Sequence, residues 1–274
     1  MVLQNVIEEL FPKACELMCD FASSRLEDVL LVEVKELLWA GLSRWLEEDL
    51  SNFAQISKPE LEFSYLGTKG VIDIEGILKE KPGSNAYLPY AGRKMLIDWK
   101  TSTTSVVSDT WAFSYLNSWQ WRIYSSAVKA DLFTFRGLSR QKLGETKSLL
   151  IKVPSDVEAQ VQEYLRLTRK QMSVLEGEKI WPRNWPSPCA KFGGCPFYAN
   201  CFSNEMPEQI IQIPELLSYS KLSAFQDCPE KYRRLVAAGP EVRDENENTI
   251  FGNTFHLGIA FIYEKVFLEY GLQH

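Results

Sequence analysis

Histidine is scarce in this chain of 274 residues: His256 and His274 are the two it has, which excludes any site that needs several imidazoles. No apolar run reaches about 18 residues, so no membrane-spanning helix is expected. The opening MVLQNVIEELFPKACELMCD places Glu8, Glu9, Glu16 and Asp20 where an export signal needs a basic start and an uncharged apolar stretch, and a cytoplasmic location is expected. Internal repeats and low-complexity tracts are absent. An excess of positive charge is absent too: 30 Lys+Arg against 36 Asp+Glu give a net charge of -6, which argues against a surface coated in basic residues for holding a polyanion. What is present is a hydrophobic fraction of 45%, enough for a real core, and six cysteines. In a reducing compartment these are read as thiols, and cysteine becomes the natural place to look for a soft metal.

Residues 1–57 read as a helical segment, with Leu30, Val34, Leu37, Leu38, Leu42, Trp45 and Leu46 at helical spacing and Pro12 breaking an earlier stretch. From Glu60 the pattern changes to short strands: ELEFSYL, a turn at Gly67 to Gly70, VIDIEGIL, a polar loop, then KMLIDWKTS, three strands in meander order. Asp109 or Thr110 can cap a helix carrying Trp111 through Val128, after which DLFTFRGL and KSLLIKV read as two further strands. Pro154 and Ser155 open a helix to about Gly177. The stretch WPRNWPSPCAKFGGCPFYANC is too rich in Pro, Gly and Cys for regular structure, and a helical part follows Ser218, interrupted by an acidic loop at Glu241 to Glu247. These patterns imply an α/β (α+β) fold with a mixed central sheet flanked by helices. Three segments are expected, 1–57, 58–180 and 181–274, integrated into one domain.

The candidate chemistry centres on Asp73 and on Asp98, Trp99 and Lys100. Side chains alternate along a strand, so Asp98 and Lys100 share one face and Trp99 points into the opposite layer. Two carboxylates and an ammonium suit phosphodiester hydrolysis, in which carboxylates bind hard Mg2+ or Mn2+ and a lysine positions water. An ordinary ion pair on a surface strand is the alternative. Gln120 and Tyr124 stand at i and i+4 on the following helix and can face the same site, or be plain helix residues. Gly252 and His256 form GxxxH, in which the imidazole either completes a metal site or is a satisfied buried histidine.

Together GVIDIEG (70–76), IDWKTS (97–102), QWRIY (120–124), SYSKLSAFQDCPEKYRR (218–234) and FGNTFH (251–256) resemble the PD-(D/E)XK nuclease superfamily, in its RecB-like branch that includes the CRISPR-associated exonucleases and the AddB nuclease. The resemblance implies a restriction-endonuclease-like core and a Mg2+/Mn2+-dependent deoxyribonuclease, an exonuclease or end-processing enzyme acting on single-stranded DNA or duplex ends. It further implies that His256, Asp73, Asp98 and the Trp99 backbone carbonyl bind metal, that Lys100 is catalytic, and that Gln120 and Tyr124 support the lysine and the DNA backbone. Cys189, Cys195, Cys201 and Cys228 suit a structural 4Fe-4S cluster, with zinc as second choice. The first spacing, five residues, is wider than the two of that family. Cys15 and Cys19 read as helix residues, or as replacements for Cys228.

In the family CPxxY and GxxxH come first; here they come last. Either the motifs are circularly permuted, or a second, truncated nuclease domain follows the first and His256 and Cys228 serve a different site. Completion in trans by a homo-oligomer is a further arrangement. Other functional readings are a catalytically silent DNA-binding or scaffold module and a site-specific endonuclease. Partners of a recombination, repair or CRISPR adaptation system, in a prokaryote or phage, would fit the first reading. Divided by segment, the charge changes meaning: residues 91–152 hold ten Lys/Arg against four Asp/Glu, and residues 1–50 hold four against eleven. The implied picture is a narrow basic channel on an acidic body.

Overall fold

In the computed structural model, helices α1 (Val2–Ala22) and α2 (Asp28–Asn52) lead into strand β1 (Phe53–Ile56). The structure describes residues 2–22, 25–142, 144–178, 181–184, 195, 197, 201, 211–237 and 247–269. The expected break at Pro12 does not occur. Proline removes one N–H and blocks one carbonyl, but Pro12 lies on the exposed side of α1, where water can take the freed carbonyl. The segment expected to be helical to residue 57 instead turns extended at Phe53.

Strands β2 (Leu61–Tyr65) and β3 (Thr68–Ile72) are joined by Leu66 and Gly67, both with positive φ (49° and 73°), the backbone of a two-residue hairpin turn. The turn therefore sits ahead of the expected Gly67 to Gly70. VIDIEGIL is also two strands, β3 and β4 (Ile74–Leu78), because the chain bends at Asp73. β5 (Lys94–Ser102) follows, then α3 (Asp109–Leu116) and α4 (Trp119–Val128), β6 (Leu132–Ser139), β7 (Thr146–Lys152) and α5 (Val157–Leu175). The single helix expected over 111–128 is broken at Asn117–Ser118. Ser108, neither Asp109 nor Thr110, caps α3 by accepting the Trp111 N–H, and Ser118 caps α4 through Gln120. The short β8 (Leu217–Ser218), α6 (Tyr219–Asp227), α7 (Pro229–Ala237) and α8 (Glu247–Tyr263) complete the order, with α8 running on into a π-helical turn, Glu264–Glu269.

The chain divides into two compact units, which do not follow the three consecutive segments expected. Unit 1 holds residues 1–63, 71–157 and 245–274; unit 2 holds 64–70 and 158–244. Unit 1 carries a mixed five-stranded sheet in the order β1-β4-β5-β6-β7, in which β5 and β6 are parallel and the other pairs antiparallel. The parallel pair is joined by the α3–α4 crossover. Every residue of β6 is buried, as a strand covered on both faces requires. One face, bearing Met95, Ile97, Trp99, Leu132 and Leu138, packs in a core shared with α1, α2 and α8. Close approach there depends on Gly258 of α8, where an added Cβ would lie 2.5 Å from Met18 Sδ. On the other face, Trp111 of α3 lies against Gly137 of β6, where a Cβ would meet the indole at 2.5 Å. In unit 2, β3 and β8 pair in parallel through Thr68↔Leu217 and Lys69↔Ser218, and Arg169 of α5 donates to the Gly67 carbonyl at 2.6 Å.

At the centre of unit 1's core, Arg136 of β6 makes a bidentate pair with Asp49 of α2 at 2.5 Å on both arms, and Tyr263 of α8 donates to the same carboxylate. The guanidinium lies 5.2 Å from the rings of both Trp45 and Trp99. Removing one partner of such a pair leaves a buried charge unmatched. Asp49→Asn is therefore expected to lower the unfolding free energy by about 3–5 kcal/mol in urea denaturation. A loss below about 1 kcal/mol would show that the pair does not hold the core.

Candidate active site

β4 pairs with β5 from Ile77↔Lys94 to Ile74↔Ile97, and then the chain bends away at Asp73. The N–H of Trp99 thereby loses its neighbouring strand, and an orphaned buried donor costs about 1–3 kcal/mol. Asp73 supplies the acceptor: its Oδ2 takes the Trp99 N–H at 2.6 Å. In an extended strand the N–H and C=O of one residue leave on the same edge, so the Trp99 carbonyl exits on the side of Asp73. The bend that ends β4 thus buries a carboxylate beside β5.

Two further elements approach Asp73, and β5 with α4 builds a second cluster around Asp98. α8 is held by Phe255, whose ring lies 6.0 Å from that of Trp99, and the next residue, His256, places Nδ1 3.3 Å from Asp73 Oδ2. Glu60, in the turn before β2, adopts a left-handed φ of 58° and donates its N–H to the Asp73 carbonyl at 3.1 Å; its Oε1 lies 3.9 Å from His256 Nδ1. On β5, Lys100 Nζ meets Asp98 Oδ2 at 2.5 Å, and from α4 Gln120 Nε2 donates to Asp98 Oδ1 at 3.0 Å. Tyr124, one turn further along α4, packs edge-to-face on Phe63 with ring centroids 4.9 Å apart.

The electrostatics follow from crowding charges in a buried place. The Glu60 side chain is 43% exposed, yet partial desolvation and the neighbouring Asp73 charge push its carboxyl up to about 7. Burial also raises Asp98, to about 6, against the pull of Lys100. For Asp73 burial acts in the same direction, but His256, Lys100 and the Trp99 N–H outweigh it and hold the carboxyl below its ordinary value. Burial disfavours the charged forms of Lys100 and His256. Asp98 and Asp73 reverse this for the lysine, Asp73 reverses it for the histidine, and both are raised. Burial, reinforced by Asp98, lifts the Tyr124 hydroxyl to about 12, so it stays a neutral donor.

The structure thus brings Asp73, Asp98, Trp99, Lys100, Gln120, Tyr124 and His256 to one region of unit 1. Glu60 joins two of the expected ligands. Among the described residues, Glu60, Asp73 and His256 form a group whose ligand atoms all lie within 4.8 Å of one another. Asp98 is engaged by Lys100 and Gln120, because Lys100 stands two residues on, on the same face of the strand. Gln120 accordingly supports the lysine through Asp98. Two carboxylates with one imidazole are donors suited to Mn2+ or Mg2+. Glu60 was not legible in the sequence, since a lone Glu ahead of a strand carries no motif.

Of the cysteines, Cys189 lies outside the described residues. In unit 2, Cys201 N–H donates to the Phe197 carbonyl and Cys228 sits at the break between α6 and α7. Burial raises the Cys201 thiol, against Arg234 and Arg183. Cys195, Cys201 and Cys228 do not form a group within 4.8 Å, whereas four sulfurs around one zinc stand about 3.8 Å apart. Cys15 and Cys19 are residues of α1, one turn apart. Several of the basic residues in 91–152 are engaged internally: Arg136 with Asp49, Arg93 with Asp131, Lys94 with Glu75 and Arg140 with Glu33. These pairs leave fewer of the ten basic side chains for an external anion than the count implied.

No protein-family model matches the chain, and no curated protein does. A solved structure described as the crystal structure of SSO0001 is similar over 66% of this chain and 89% of that one, at 14% identity and a TM-score of 0.31.

A cation held by Glu60 requires the ionised carboxylate, which exists above about pH 7. Mn2+ affinity of the wild-type protein, followed by electron paramagnetic resonance titration, is therefore expected to rise as pH increases through 7. Glu60→Gln should weaken Mn2+ at least about tenfold and flatten that rise; unchanged affinity would remove Glu60 from the ligand set.

Proposed function

We propose that the chain is a Mg2+/Mn2+-dependent DNA nuclease of PD-(D/E)XK type, an exonuclease or end-processing enzyme. The observation that carries this reading is the convergence of two buried carboxylates, Asp73 at the bend before β4 and Asp98 on β5, with Lys100 of β5 on the second and His256 of α8 on the first. The β4–β5 hairpin, the α3–α4 crossover and the parallel β6 are consistent with a restriction-endonuclease-like core. His256 lies 183 positions after Asp73 in sequence and yet 3.3 Å from it within one chain, which favours permuted motif order over a separate truncated domain.

Asp73 and His256, with Glu60 and the Trp99 carbonyl, would hold the cation, which when bound supplies charge neutralisation at the scissile phosphate and lowers the pKa of water. Lys100 stays protonated beside Asp98 and can stabilise charge developing on a phosphate oxygen. Asp98, lifted to about 6, can accept a proton near neutral pH while Gln120 fixes its orientation. The proposed substrate is DNA with a free end. The 4Fe-4S cluster on Cys189, Cys195, Cys201 and Cys228 belongs to the same proposal as a structural group.

End-labelled DNA incubated with Mn2+ should be degraded by the wild-type protein, and Lys100→Ala should slow this by about 10^2–10^4-fold with DNA binding retained. Cutting that survives Lys100→Ala unchanged, or binding without any cutting by the wild type, would favour the silent binding module. Protein purified without oxygen should absorb broadly near about 400 nm with thiolate-bound iron; a colourless, iron-free protein would contradict the cluster.

A further inference from the structure

Three apolar side chains stand exposed next to the catalytic strand. Phe113 is 69% exposed and Leu116 40%, three residues apart on α3 and so on one helix face; Val107, 53% exposed, lies in the loop that joins β5 to α3. Their inner neighbours are well packed: Trp111 is buried on Gly137, and Tyr115 packs at a tilt against Phe135, with centroids 4.7 Å apart. Single exposed apolar residues are ordinary, but this group is tied rigidly to the candidate active site. The Leu116 carbonyl that ends α3 accepts from Trp121 Nε1 at 3.0 Å and from Arg122 Nη1 at 3.3 Å, both on α4. The same α4 carries Gln120, which holds Asp98. Arg122 also lies over the ring of Trp119, 5.2 Å from its centroid.

Two lysines lie beside this group, with Asp109 and Glu145 on the same segments. Lys147 Nζ reaches the Val107 carbonyl at 3.3 Å, and the side chain of Lys142 is 69% exposed, 3.7 Å from Glu145. Glu145 in turn accepts the Val106 N–H at 2.8 Å, which fastens the basic β6–β7 turn to the loop before α3. Lys147 thus stands at the loop before α3, and the helix ends, at Leu116, on α4, which carries Gln120. A protein partner would be served by the apolar residues alone; a chain of phosphates with accessible base faces uses both. Duplex DNA hides its base faces and would gain nothing from Phe113.

We infer that the exposed face of α3, centred on Phe113 and Leu116, is a base-stacking platform that selects single-stranded nucleic acid for the adjoining site, with Lys142 and Lys147 contacting its phosphates. This rests on the nuclease reading for its location but not for its test. Binding of fluorescein-labelled oligo(dT) and of a blunt DNA hairpin is compared by fluorescence anisotropy in EDTA, where nothing is cut. Phe113→Ala is expected to weaken oligo(dT) binding by about tenfold or more and hairpin binding by less than twofold. Phe113→Trp should retain wild-type binding of oligo(dT). Because Phe113 is exposed, its variants should keep the wild-type melting temperature. Equal loss on both probes, or no loss on oligo(dT), overturns the platform while leaving the nuclease reading intact. Wild-type protein that binds neither probe overturns the platform, and cutting of end-labelled DNA by the same preparation in Mn2+ decides the nuclease reading separately. A dimer in sedimentation that Phe113→Ala dissolves would show instead that this face docks a second copy of the chain.

Discussion

The buried pair between Asp49 and Arg136 is the constraint on which unit 1 is organised. A guanidinium in an apolar core survives only if its charge is matched and its planes are covered. Asp49 matches the charge, Trp45 and Trp99 cover the planes, and Tyr263 completes the carboxylate's partners. Those five residues come from α2, β5, β6 and α8. Satisfying one charge therefore fixes how two helices lie on two adjacent strands, and it fixes Trp99 in particular.

Trp99 links that core to the chemistry. Its side chain packs among Trp45, Phe255 and Tyr263, while its N–H is held by Asp73 on the strand edge. The flanking residues, Asp98 and Lys100, must then face the other layer, where α4 delivers Gln120. α8 works the same way: Phe255 anchors it against Trp99 and the following residue, His256, is carried to Asp73. The site is built on a strand and helices set by packing, which gives it more positional precision than a loop would. Its carboxylates are crowded, with Asp98 buried and Glu60 partly desolvated, so both are pushed toward neutral pH while Lys100 and His256 are held toward their charged forms.

Much of this arrangement was readable where chemistry repeats locally. Alternation on β5 put Asp98 and Lys100 on one face, and the four-residue spacing of Gln120 and Tyr124 put both on one side of α4. What was not readable depends on distant neighbours. Pro12 sits within a helix on its exposed side, where water can take the carbonyl that the ring leaves without a donor. VIDIEGIL looks like one strand, yet it bends at Asp73, and that bend is what creates the site. Glu60 becomes relevant only because a left-handed turn sets it against Asp73 and His256. The count of basic residues overstated the open positive surface, since ion pairs such as Arg140–Glu33 and Arg136–Asp49 join residues about 90 or more positions apart.

By itself the sequence determined the local periods: which segments are helical or extended, which strand carries the paired Asp and Lys, and that few histidines leave carboxylates as the main hard-metal donors. These follow from side-chain alternation and composition, which act over a few residues. The tertiary structure alone decided which residues meet. A histidine near the end of the chain reaches an aspartate of an early strand because α8 must bury Phe255 and Tyr263 on Trp99. Phe113, by the same token, is left in solvent because Trp111 and Tyr115 already fill the space against β6.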